Sequence, residues 1–176
     1  MNSAATLLAN QVKPYISIDV RGAFWRGVNF DVKRLCRAAA AEAMASVPET
    51  SGEVEISVVL ADDAFVRELN KTWRNIDAPT NVLAFPCSDG EESAGVGAER
   101  LLGDVIVAFQ TTEREAMELN LSFEHHFTHL MIHGVLHLLG YDHIDDDEAA
   151  IMEKLEVEAL AKLGIENPYG EAAPDG

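Results

Sequence analysis

His133-Gly134-Val135-Leu136-His137-Leu138-Leu139-Gly140-Tyr141-Asp142-His143 closes a long apolar segment of the chain. Phe127, Leu130, Met131, Ile132, Val135, Leu136, Leu138 and Leu139 leave that segment hydrophobic nearly all round. A helix with this pattern is buried, so the other elements must be packed around it. His133 and His137 stand four residues apart and share one helix face. Gly140 can take the left-handed conformation that ends a helix. The chain then turns back and brings His143 toward the same point. Three imidazoles on one ion leave a coordination position open, the layout of a catalytic metal rather than a structural one.

Ser122 fits as the N-cap of this helix, which is expected over Phe123 to Leu139. Upstream, Tyr15 to Val20 alternates as a strand, and Phe30 to Val47 has helical spacing with Pro48 just past its end. Glu53 to Leu60 reads as a second strand. Asp62 caps a helix running to Trp73. The turn Asp77-Ala78-Pro79-Thr80 leads into a short strand, Asn81 to Phe85, stopped by Pro86. Ser88 to Arg100 reads as an exposed loop, and Asp104 to Phe109 as an apolar strand placed centrally. Thr111 or Thr112 is expected to cap a helix reaching Leu119, and a last helix spans Asp147 to Leu163, closed by Gly164. The ends, 1–12 and 166–176, are expected to fray. This order of elements points to one α+β or α/β sandwich in a single domain, 1–176; the expectation is α+β, a small mixed β-sheet packed with helices, with the metal site on the buried helix and the following turn.

Composition narrows the class. A chain of 176 residues that is 48% hydrophobic can bury a substantial core. No apolar run approaches the roughly 20 residues of a membrane helix. The N-terminus lacks the charged start of a signal peptide, and Cys36 and Cys87 make no disulfide framework. These features predict a cytoplasmic protein without a membrane partner. The net charge of −17 argues against broad nucleic-acid binding. Basic residues are nevertheless clustered, six of thirteen between Lys13 and Arg37, with Arg67, Lys71 and Arg74 as a second group. The acidic run after His143, which includes Asp145 to Glu148, Glu153, Glu156 and Glu158, reads as solvated surface.

The histidine spacing matches the His-Glu-x2-His-x2-Gly-x2-His pattern of metzincin proteases, except that Gly134 replaces the glutamate that serves as general base. Peptide cleavage of that type lacks its base here. Spacing does not separate zinc from nickel or another imidazole-binding metal. His129 lies near the face of His133. It can contact a ligand or substrate, orient an imidazole, or be a satisfied core residue. His125 and His126 read as first-turn surface residues, and Asp142 either supports His143 or caps the next turn.

The full histidine motif resembles the signature of the YbeY family of bacterial endoribonucleases. Leu69-Asn70-Lys71-Thr72-Trp73-Arg74, Asp77-Ala78-Pro79-Thr80-Asn81-Val82-Leu83-Ala84-Phe85-Pro86, Leu102-Gly103-Asp104-Val105-Ile106 and Leu163-Gly164-Ile165-Glu166-Asn167-Pro168-Tyr169 are similar to further family blocks. The resemblance covers about Ile56 to Tyr169. It implies an α+β metalloprotein that cuts single-stranded RNA, matures the 3′ end of 16S rRNA and serves ribosome quality control. It implies one zinc ion on His133, His137 and His143, an activity-supporting arginine at Arg74, and the small ribosomal subunit or an associated protein as partner. Asn81 and Trp73 depart from the family, which often has Asp and Tyr there. Two alternatives stay open: a noncatalytic ribosome-assembly factor with structural zinc, and a metal-dependent hydrolase of another substrate.

Overall fold

The computed structural model describes residues 14–48, 53–87 and 100–170. The elements are β1 (Tyr15–Val20), α1 (Ala23–Arg26), α2 (Val32–Ala45), β2 (Val54–Ala61), α3 (Asp63–Arg74), β3 (Val82–Pro86), β4 (Arg100–Ala108), α4 (Phe109–Glu118), α5 (Phe123–Leu138) and α6 (Asp146–Lys162). The strands form one sheet in the order β1-β2-β4-β3. β1 and β4 run parallel to β2, and β3 runs antiparallel to β4. The sheet is therefore mixed and the class α+β, with the apolar strand β4 inside and β3 on an edge.

Alternation along β4 divides the core. Val105 and Val107 face the large cluster made with α2, α5 and α6, while Ile106 and Ala108 face Val66 of α3 and Leu83 of β3. α3 covers one face of the sheet and the remaining long helices gather on the other. In α5, Met131, Ile132, Val135 and Leu136 are fully buried, each contributing roughly 1.5–3 kcal/mol. α5 touches α2, α4, α6, β3 and β4, so it is the hub of the larger layer.

Several expectations are corrected. Thr111 and Thr112 do not cap α4, because β4 runs straight into that helix and its N-cap position falls on Ala108. The free first-turn donor is met from α3: Asp63 accepts the Thr111 N–H (2.9 Å) and hydroxyl (2.8 Å), while Gln110 Oε1 accepts the Asp63 N–H (2.8 Å). α1 has only four residues and carries no periodic signal, yet it seats Trp25, whose indole N–H donates to the Ala61 carbonyl at 2.7 Å. Within the tail expected to fray, 166–170 is described and docked. Residues 1–12, 88–99 and 171–176 lie outside the described residues.

β2 and β4 shift register between Glu55 and Ile56, where β4 carries an extra residue, Leu102. Gly103 follows at φ 144°, and a Cβ there would lie 2.2 Å from the Phe85 carbonyl oxygen. Gly103→Ala is expected to cost roughly 2–4 kcal/mol through overpacking and backbone strain, read as a lower urea midpoint. Gly22→Ala meets nothing within 4 Å although φ is 90°, so it should cost only the backbone term, about 1 kcal/mol.

Candidate metal centre

The end of α5 sets the position of the third histidine. Gly140 has φ 97°. Its N–H donates to the His137 carbonyl (3.0 Å), and the Tyr141 N–H donates to the Leu136 carbonyl (3.1 Å). This is the glycine-terminated helix end that reverses the chain. Asp142 Oδ1 accepts the His143 N–H at 2.8 Å and shapes the turn. His133, His137 and His143 each present a ring nitrogen, all within 4.8 Å of one another. The Nε2 atoms of His133 and His137 are 3.0 Å apart. Tetrahedral ligation with nitrogens 2.0–2.1 Å from zinc places two of them about 3.3 Å apart, so the donors fit one ion with a few tenths of an ångström of adjustment. Burial, then the neighbouring His133 and His143, lower the pKa of His137 and favour the neutral imidazole that ligation requires.

Glu156 of α6, 1% exposed, holds the cluster from behind. Its Oε1 accepts from His133 Nδ1 at 2.5 Å, and its Oε2 accepts from His129 Nε2 at 2.7 Å and from the Tyr169 hydroxyl. Burial alone would raise this carboxyl, but the hydrogen bonds and charge of His129 and His133 outweigh it and bring the pKa to about 2. An ionised carboxylate only accepts, so the proton of neutral His133 sits on Nδ1 and the Nε2 lone pair turns to the other two histidines. Glu156 is thus corrected from solvated surface to buried partner. Its signal was its place among Met152, Ala159 and Leu160 on the buried stripe of α6. Of the three roles open to His129, the geometry gives a partner in this same network. Tyr169 ties residues 166–170 to the fold.

The ring nitrogens open into a cleft of about 570 Å³, lined also by Arg74, Asn81, Ala84 and Asp142. Arg74 ends α3, and Asn75 follows in the left-handed conformation. Its Nη1 lies 3.5 Å from Asn70 Oδ1, and among the described residues no carboxylate pairs with it. Arg67, by contrast, is committed to Asp77 at 2.8 Å. The cleft therefore has a cation on the α3 side, imidazoles on the α5 side and the edge strand β3 as a wall. Gly134 abuts the sheet: a Cβ there would lie 2.8 Å from Val105 Cγ1. The position where the proteases carry their glutamate has no room for a side chain.

His126 is corrected from the surface to the interior. It is 5% exposed and its Nε2 contacts Glu115 at 2.8 Å. Asn81 Nδ2 donates to the same carboxylate at 3.0 Å, and Asn81 Oδ1 accepts the Val82 N–H at 2.7 Å. An aspartate at position 81 would set two carboxylates against each other, so the amide suits this chain.

Comparison with known proteins follows the same residues. The family model described as Endoribonuclease YbeY matches residues 26–164. Proteins named Endoribonuclease YbeY are similar to the chain. The one from Paramagnetospirillum magneticum is 51% identical over 157 residues, covering 89% of this chain and 96% of the relative. The one from Zymomonas mobilis is 56% identical over 123 residues, covering 68% and 70%. The solution structure of a Thermotoga maritima protein superposes with a TM-score of 0.53 at 26% identity, over 92% of this chain and 99% of that one.

Removing the buried carboxylate tests its place in the centre. Glu156→Ala should destabilise the fold by about 1–3 kcal/mol, since it leaves the partly buried His129 and His133 and the Tyr169 hydroxyl without their acceptor, measured by chemical denaturation. Glu156→Gln should fold and weaken zinc binding by about 10–100-fold, measured by competition with a chromophoric chelator.

Proposed function

The chain belongs to the Endoribonuclease YbeY family, and from that premise we propose that it is a zinc-dependent hydrolase that cuts single-stranded RNA. The observation that supports this most is the convergence of three imidazole nitrogens on a cleft whose other side carries the guanidinium of Arg74, which has no carboxylate partner among the described residues. His133, His137 and His143 would hold one zinc ion. When bound, zinc would acidify a water and polarise a phosphoryl oxygen.

The chain's own residues do the rest. Arg74 binds nonbridging phosphoryl oxygens, for which a planar guanidinium fork is suited. Glu156 keeps the Nδ1 proton on His133, so that Nε2 stays available. Gly134 supplies no carboxylate, which disfavours protease-type peptide cleavage. A net charge of −17 repels long stretches of phosphate backbone. Recognition then falls to the short cleft, which a flexible strand can enter more readily than a duplex. Maturation of the 16S rRNA 3′ end and ribosome quality control, with the small subunit or an associated protein delivering the RNA in the cytoplasm, complete the reading. No helix among the described residues is long and apolar enough to cross a membrane.

Metal analysis paired with RNA cleavage tests the proposal. The wild type should carry about one zinc per chain and lose cleavage on chelation, with recovery on adding zinc back. His137→Ala should lose metal and cleavage together; full activity without metal removes the site. Arg74→Ala should keep its zinc while kcat/KM falls about 10²–10³-fold; unchanged cleavage removes the role of Arg74. Histidine variants purified in parallel control for contaminating nucleases.

A further inference from the structure

β3 is an edge strand, and its residues Val82 to Phe85 line the cleft. The register identifies its outward backbone groups. The Asn81 carbonyl accepts the Ala108 N–H, and the Leu102 carbonyl accepts the Cys87 N–H, each at 2.9 Å. Both ends of the antiparallel ladder are therefore hydrogen-bonded pairs. Alternation commits Leu83 and Phe85 to β4 as well, and turns the peptide groups of Val82, Ala84 and Pro86 outward. Pro86 has no N–H. The Val82 N–H is capped by Asn81 Oδ1 at 2.7 Å, and Asn81 is itself held by Glu115. Among the described residues, the half-buried Ala84 carries the one uncommitted N–H on this edge.

We infer that the Ala84 N–H is a substrate-positioning donor that binds a nonbridging phosphoryl oxygen of the RNA strand in the cleft. The inference rests on the endoribonuclease reading. The ligand chemistry follows from what the edge lacks. A peptide adding to a strand edge needs a succession of outward N–H and C=O pairs, and β3 supplies a complete pair only at Ala84. A phosphodiester offers acceptors alone and needs isolated donors. Here one backbone donor shares a cleft with Arg74 and the three histidines. The capped N–H and the proline around it blunt the edge against strand addition.

The test removes the donor without touching the ladder. Ala84→Pro deletes an outward N–H at a position where an edge strand tolerates proline, and Ala84→Ser retains it. Ala84→Pro should keep zinc content and melting temperature while kcat/KM on single-stranded RNA falls about 100-fold; Ala84→Ser should stay near the wild type. In the wild type, the Ala84 amide resonance should shift and gain exchange protection when an uncleaved 2′-O-methyl RNA strand is added. A folded Ala84→Pro that cleaves at the wild-type rate overturns the inference and leaves the endoribonuclease reading standing. So does an Ala84 amide that stays unmoved while those of Val82 and Phe85 respond. Should Ala84→Pro fail to fold, the amide shift decides. A wild type that neither binds nor cleaves RNA overturns the reading and the inference with it.

Discussion

The contact of Gly134 with Val105 sets the distance between α5 and the sheet, and the site depends on that distance. A residue without a Cβ lets the helix axis approach the strands until backbone meets side chain. At that separation His133 and His137, on the same helix face, share a cleft with the residues of β3. The same approach closes the place a catalytic glutamate would occupy. One small residue thus fixes the shape of the cleft and limits its chemistry.

A second constraint is electrostatic. Glu156 is a charge almost without solvent, which is costly unless every oxygen is matched. His129, His133 and Tyr169 match it from α5 and the C-terminal segment. The arrangement links three parts of the chain through one carboxylate, and it fixes which nitrogen of His133 faces the cleft. Glu115 plays a comparable part on the opposite flank, joining His126 to Asn81 and through it to the edge of β3.

Local chemistry made much of this legible in the sequence. Asp62 and Ser122 cap α3 and α5 as their side chains suggest, and Gly140 ends α5 with positive φ. Alternation marked β1 and the start of β2, and an apolar run marked the second half of β4; the order of elements left α+β and α/β open, and the family resemblance narrowed it to α+β. What escaped depends on partners far along the chain. α4 begins two residues before Thr111, and Asp63, 48 positions away, serves its first turn. His126 is interior because Glu115 reaches it from α4. Glu156 looked like one more acid in an acidic run, and only the packing of α6 against α5 distinguishes it. The three histidines were legible as a group because they sit on a single helix and its turn; their buried partner, 23 residues beyond His133, was not.

Tyr169 gives the order of synthesis a bearing on the centre. The chain is made from its N-terminus, so α5 and all three histidines are synthesised before the last donor to Glu156. Until Tyr169 arrives, a buried carboxylate oxygen has one donor fewer and His129 lacks its aromatic neighbour. The imidazole cluster thus has its full set of partners only once residue 169 has docked on Glu156.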